Sequence, residues 1–134
     1  METFYLDKDI KVMCVTASSF PDGVNTAHKK LHDVLAFDEK RRCFGISSPN
    51  GRSIIYKAAA EELNPGESGI FGFETFVIKQ GHFASEYIVD FMSQIPSVGK
   101  TFEKLLFIAD IDPDGYCLEM YIGNKDIRCM VPLK

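Results

Sequence analysis

The chain has 134 residues, 46% of them hydrophobic and 25% charged, with a formal net charge of −4. That balance is the ordinary globular one and excludes a disordered or collagen-like chain, while the length suits one domain with a real core. An acidic chain without clustered Lys and Arg lacks a nucleic-acid footprint, and no apolar run approaches the ~20 residues of a membrane span.

The first seven residues, Met1 to Asp7, show no basic region followed by an apolar one, so no secretory signal is expected and the protein is read as cytoplasmic. A strand is predicted over 10–17. A helix follows over 24–37, with Val24, Ala27, Leu31, Val34 and Leu35 on one stripe. Strands over 42–47 and 53–60 flank the turn residues Ser48-Pro49-Asn50-Gly51. Asn64-Pro65-Gly66 separates two halves. A long or broken strand over 73–89 carries Gly81 inside it, as at a bulge. A second helix over 95–108 has Ile95, Val98, Phe102, Leu105 and Leu106 on its stripe. Asp112-Pro113-Asp114-Gly115 leads to strands over 116–123 and 126–133, joined by the turn Gly123-Asn124-Lys125.

The two halves echo each other. The apolar stripe of the first helix matches that of the second at an offset of 71 residues, and Phe20 and Phe91 keep the same offset. The simplest account is a tandem β-α-β-β repeat with pseudo-twofold symmetry, repeat one over about 9–62 and repeat two over about 72–134. Joined through their sheets, the copies make a single α+β domain over 1–134, an antiparallel sheet with two helices on one side. Strand 116–123 then has two faces: Leu118, Met120 and Ile122 are expected to pack on the helix, and Cys117, Glu119 and Tyr121 to face away from it. On this reading the cleft at the junction of the halves lies on the face opposite the helices.

Four cysteines, Cys14, Cys43, Cys117 and Cys129, form no C-x-x-C pair and have no His at zinc spacing, so they read as reduced and mostly buried thiols. A two-residue hairpin loop would set Cys117 and Cys129 on opposite faces; a three-residue loop would reverse this. His28 and His32 have the spacing of two metal ligands on a helix but lack the zincin glutamate, and read as ordinary histidines. No metal and no cofactor is expected. Gly45-Ile46-Ser47 is not a nucleophile elbow, and glycine-rich 66–72 lacks the P-loop Lys. Lys29-Lys30, Lys40-Arg41-Arg42 and Glu61-Glu62 read as solvated charge.

The segments 73–83 (Phe-Glu-Thr-Phe-Val-Ile-Lys-Gln-Gly-His-Phe), the helix from Ile95, Leu118-Glu119-Met120-Tyr121-Ile122, Met130-Val131-Pro132-Leu133 and, in the first half, Ile54-Ile55-Tyr56-Lys57-Ala58-Ala59 together resemble the GyrI-like (gyrase-inhibitor-like) small-molecule-binding domain, similar to the effector-binding domain of bacterial transcription regulators. The resemblance implies a tandem-repeat fold and a ligand pocket between the halves with an acidic residue at its base. Glu119 falls on the family's pocket glutamate, Tyr56 on its first-half tyrosine, and Phe102 on a helix position where the family often has Trp. The chain has no Trp, and 83–88 does not reproduce the family's aromatic-rich strand. No helix-turn-helix accompanies the domain, so direct nucleic-acid binding is not expected, and neither is a membrane partner.

A carboxylate among rings suits a small lipophilic guest, cationic or aromatic, since ring faces contribute roughly 0.5–2 kcal/mol each to holding a cation. With 11 Phe and 5 Tyr, the further pocket candidates are Tyr121, Phe44, Phe71, Phe73, Tyr87 and Phe91, beside Glu119, Tyr56 and Phe102. Multidrug-type binding is thus favoured over catalysis. Two alternatives use the same chain: a hydrolase of reactive xenobiotics with Glu119 and Tyr56 in general acid/base roles, and a module acting on a protein partner.

Overall fold

A computed structural model describes residues 1–35, 38–108, 110–123 and 125–134. Among these residues pairs of strands are separated by α-helices, eight strands and three helices in all: β1 (Glu2–Leu6), β2 (Ile10–Thr16), α1 (Val24–Val34), β3 (Cys43–Asn50), β4 (Ser53–Glu61), α2 (Glu67–Phe71), β5 (Glu74–Ile78), β6 (Gly81–Ile88), α3 (Ile95–Leu106), β7 (Cys117–Ile122) and β8 (Asp126–Pro132). A 3₁₀ turn, Phe91–Gln94, leads into α3. The expected ends of the first helix and of the last hairpin turn fall partly on Ala36, Phe37 and Asn124, which lie outside the described residues.

All strands join one antiparallel sheet in the order β1-β6-β8-β7-β3-β4-β2-β5. The connections cross. β1 runs into β2 but pairs with β6, and β5 runs into β6 but pairs with β2. The two turns are tied together where the Gln80 N–H donates to Asp9 Oδ1 at 2.8 Å. The long or broken strand expected over 73–89 is two strands, broken at Lys79-Gln80, and β1 is an additional strand. Its short run Thr3-Phe4-Tyr5-Leu6 lies between acidic residues, and its partner is about eighty residues away, so local pattern gives no sign of it.

The sheet curls, as the right-handed twist of strands favours. One buried cluster on its concave face draws on every strand, from Leu6 in β1 through Val12, Phe44, Ala59, Phe83, Leu118 and Met130 to Ile78 in β5. The residues that alternate with these point to the convex face. There α1 buries Ala27 and Leu31 against Met13, Ala58 and Ala60, and α3 buries Leu105 against Ala84, Ile127, Cys129 and Val131. Three consecutive alanines in β4 serve both layers, Ala59 inward and its neighbours under α1. Pro96 opens α3, where the missing N–H costs nothing. The short α2 ends at Gly72, whose φ of 73° suits glycine.

The face assignment of β7 differs from the sequence expectation. Leu118 packs in the concave core with Met120 against it, whereas Cys117 and Tyr121 pack with α3. The expectation gave the more apolar set to the helices. A curled sheet has a second dry core inside its curve, and that core takes the most apolar residues. The last hairpin pairs Ile122 with Asp126, which leaves three residues in its loop. Cys129 therefore stands opposite Glu119, on the face of Cys117, and both thiols are free.

Charge runs read as solvated are partly each other's partners. Arg41 forks onto Glu67 at 3.0 and 3.1 Å, and Arg42 reaches Glu61 at 2.8 Å. Glu62 accepts the Ser68 N–H at 3.0 Å. No helix among the described residues is long and apolar enough to cross a membrane, and no group of three metal-ligating side chains occurs among them.

Candidate functional site: a carboxylate between two helices

The centre of the convex face is the seam where β3 pairs with β7. Gly45 stands directly opposite Glu119, Ser47 opposite Cys117 and Cys43 opposite Tyr121. α1 covers the β2–β4 side and α3 the β6–β8 side. The seam between them carries Glu119, so the carboxylate lies on the helix-bearing face, contrary to the expected cleft on the other side.

Glu119 Oε1 accepts hydrogen bonds from the Tyr56 hydroxyl at 2.9 Å and the Tyr121 hydroxyl at 3.2 Å. The two phenol oxygens are 3.1 Å apart. His28, from α1, places Nε2 at 2.8 Å from the Tyr56 hydroxyl. Each phenol has one proton. With both donated to an ionised Glu119, the His28 ring is the donor to Tyr56 and carries its proton on Nε2. Burial, and secondarily the neighbouring His32, holds the His28 pKa down to about 4, so the ring is neutral near pH 7.

The rings close around this network. His28 meets Tyr56 and Tyr121 edge-on at 5.7 and 5.5 Å. Phe20 stacks on Tyr56 at 5.9 Å, and Phe91 lies against Tyr121 at 5.8 Å. Phe102 of α3 packs in the same cluster as Tyr121 and Phe91. Gly45 makes the approach possible. A Cβ there would stand 2.1 Å from the Tyr56 hydroxyl and 2.2 Å from Glu119 Oε1, so any side chain would displace one of them.

The electrostatics are one-sided. Burial raises the proton affinity of Glu119, and the two phenol hydrogen bonds only partly offset it. No Lys, Arg or His among the described residues forms an ion pair with it. Oε2 has no hydrogen-bond partner among them, and it is not one of the fully buried unpartnered atoms. Glu119 as a whole is half-buried, so the site is not sealed from solvent. The same burial and the adjacent carboxylate raise both Tyr56 and Tyr121, so the phenols stay protonated donors.

The structure thus brings together Glu119, Tyr56, Tyr121, Phe91 and Phe102. It does not bring Phe44, Phe71, Phe73 or Tyr87 to the same place. Phe44 is in the concave core, because Gly45 takes the convex face. Tyr87 belongs to the alternate set of β6 that includes Phe83; it is 37% exposed and donates to Asp126 at 2.6 Å. Phe71 is 41% exposed at the end of α2, and its ring pairs with Phe73 at 6.3 Å. Phe73 itself packs at the margin of the cluster beneath α1.

Sequence reasoning gave no site role to His28, Phe20 or Gly45. His28 is half-buried and part of the network; its spacing of four from Val24 and three from Leu31, which puts it beside the apolar stripe, was the available signal. Phe20 carried a signal in its offset from Phe91: the two rings cap Tyr56 and Tyr121. Gly45 acts by lacking a side chain, which only the strand register reveals.

No protein-family model and no curated protein sequence matches the chain. Solved structures of similar fold exist. An integron cassette protein from the mobile metagenome of Vibrio cholerae aligns over 99% of this chain and 95% of its own, with TM-score 0.72 and 9% identity. SAV2435 bound to tetraphenylphosphonium aligns over 99% and 93%, with TM-score 0.57 and 10% identity. A hydrolase from Listeria innocua aligns over 99% and 91%, with TM-score 0.55 and 8% identity. At these identities the likeness is one of fold.

Proposed function

We propose that this chain is a small-molecule-binding domain of the GyrI-like kind, and that its ligand is a lipophilic cation held by Glu119. The observation that carries the reading is the carboxylate itself: two phenols and a neutral imidazole organise it, rings surround it, and no cation among the described residues pairs with it. A structural carboxylate inside a protein is normally paired. One left without a cation, with one oxygen free of hydrogen bonds among the described residues, is suited to receive one. Tyr56, Tyr121, Phe20 and Phe91 pack ring against ring around the carboxylate, and cation–ring attraction would add to the charge pair. Tetraphenylphosphonium on SAV2435, a protein of similar fold, supports a guest of this class.

The same proposal takes residues 1–134 as one domain built from two copies of a β-α-β-β unit, each preceded by one further strand, β1 or β5. The strand order supports this. Exchanging β1–β4 with β5–β8 and reading from the other edge returns the same order.

The test is a thermal-shift panel of lipophilic cations, neutral aromatics and anions on wild type and Glu119→Gln. Ligand at ~100 times its Kd stabilises by about 2.7 kcal/mol. Stabilisation by cations alone, lost in Glu119→Gln, is the expected result; equal stabilisation of both proteins would remove Glu119 from the site. A second reading, hydrolysis with Glu119 as general acid or base beside Tyr56, draws on the raised proton affinity of Glu119. Chromatography of the panel compounds after incubation separates it: turnover lost in Glu119→Gln with binding retained would favour the enzyme.

A further inference from the structure

The seam continues past Glu119 in one direction. Tyr56 is in register with Ser47, and Ser47 with Cys117, so these three form the cross-strand row beside that of Gly45 and Glu119. Cys117 is two residues from Glu119 on the same face, about 6.8 Å along the strand. At the other end of the seam the Tyr121 ring is packed against His28 and Phe91, which fill that side.

A groove of about 290 Å³ starts on the Ser47–Cys117 row and runs out between the β3–β4 hairpin and the end of α3, past Ile54, Leu106, Ile111 and Pro132. Among the described residues its lining includes no Lys, Arg or His, and Asp112 is its one charged residue. Ile54 and Leu106 are 44% and 49% exposed there. The groove therefore begins on the strand row next to that of Glu119, and among the described residues no cationic side chain lines it.

The geometry points to a two-part ligand: a cationic head against Glu119 and an extended apolar arm in the groove. This rests on the reading of Glu119 as a cation partner and makes the ligand class an elongated cationic amphiphile rather than a compact cation. The groove has room for roughly ten water-sized groups at about 30 Å³ each, so an arm of about eight to ten carbons fills it. A fully buried methylene is worth about fourfold in affinity; in a groove open on one side, two- to fourfold is expected.

The experiment is calorimetric titration with butyl-, hexyl-, octyl-, decyl- and dodecyltrimethylammonium, each below its micelle concentration, and with tetraphenylphosphonium. The proteins are wild type, Glu119→Gln, Ile54→Thr and Leu106→Gln. The last two change solvent-exposed side chains, and circular dichroism checks that they fold. Wild type is expected to gain two- to fourfold per methylene up to octyl or decyl and then level off. The decyl-to-butyl affinity ratio is expected to fall at least fivefold in each groove variant. A ratio unchanged in both groove variants would put the arm elsewhere and overturn the inference. A flat series in wild type, with tetraphenylphosphonium still bound through Glu119, would overturn it and leave the proposed function standing. Failure of every cation to bind would overturn both.

Discussion

Two carboxylates show what separates a structural acid from a receptive one in this chain. Glu67, at the start of α2, accepts both arms of Arg41 and the backbone N–H groups of Leu63 and Asn64 at 2.8 and 3.0 Å. Its pKa is held down to about 2, chiefly by Arg41. Glu119 accepts only two phenols, and burial pushes its pKa the other way. Glu67 therefore fastens the connection between β4 and β5, while Glu119 sits in a ring-lined seam with no cationic partner among the described residues. Burial alone decides neither role; the identity of the partners does.

The comparison can be broken most severely at Glu67. Glu67→Gln removes charge-assisted hydrogen bonds and leaves Arg41 without its anion, and is expected to cost about 2–3 kcal/mol in chemical denaturation. Cation affinity should not follow it. Gly45→Ala should cost about 1–3 kcal/mol, as overpacking does. Unlike Glu67→Gln it should also abolish cation binding, because its Cβ claims the space of the Tyr56 hydroxyl and Glu119. Tyr56→Phe should cost about 1–2 kcal/mol, since it deprives both His28 and Glu119 of a partner. Retained stability in Tyr56→Phe would mean that the network is not formed.

The smallest change in stability, and the most informative, is expected from Glu119→Gln. Its sign is opposite to that of Glu67→Gln, because the two pKa shifts oppose each other. Glu67 contributes stability that is present above the usual 4.5 and is lost as pH falls toward about 2. Glu119 is more easily kept protonated folded than unfolded. It contributes stability below 4.5 that is lost as pH rises through its raised value. Near neutral pH, Glu119→Gln should therefore leave the empty protein unchanged or slightly more stable, while weakening cation binding at least tenfold. Neutral His28 adds a third limb, stability present above 6.5 and lost as pH falls toward about 4. Denaturation midpoints from pH 3 to 9 on the variants separate the three.

The sequence made one side of this site legible and hid the other. Glu119 and Tyr121 alternate on a short strand after a helix, and their shared face follows from a period of two. Tyr56 rested on family resemblance, and its hydroxyl does meet Glu119. Both long helices were readable from their stripes because each covers one side of a sheet. The concave core was not readable, since it forms only when strands far apart in sequence curl into contact; Phe44 was misplaced for that reason. The crossing of β1 and β5 into each other's halves leaves no local trace either. Gly45 gave no signal because its contribution is an absence, and it matters only through its register with Glu119.

The most direct test of the central claim is the titration of the Glu119 side chain itself. Carbon-13 carboxyl chemical shifts, assigned by comparison with Glu119→Gln, would be followed against pH in the free protein and with saturating tetraphenylphosphonium. A midpoint above the usual carboxylate range that falls when the cation is bound is the predicted result. A midpoint at the ordinary value, unmoved by the cation, would contradict it.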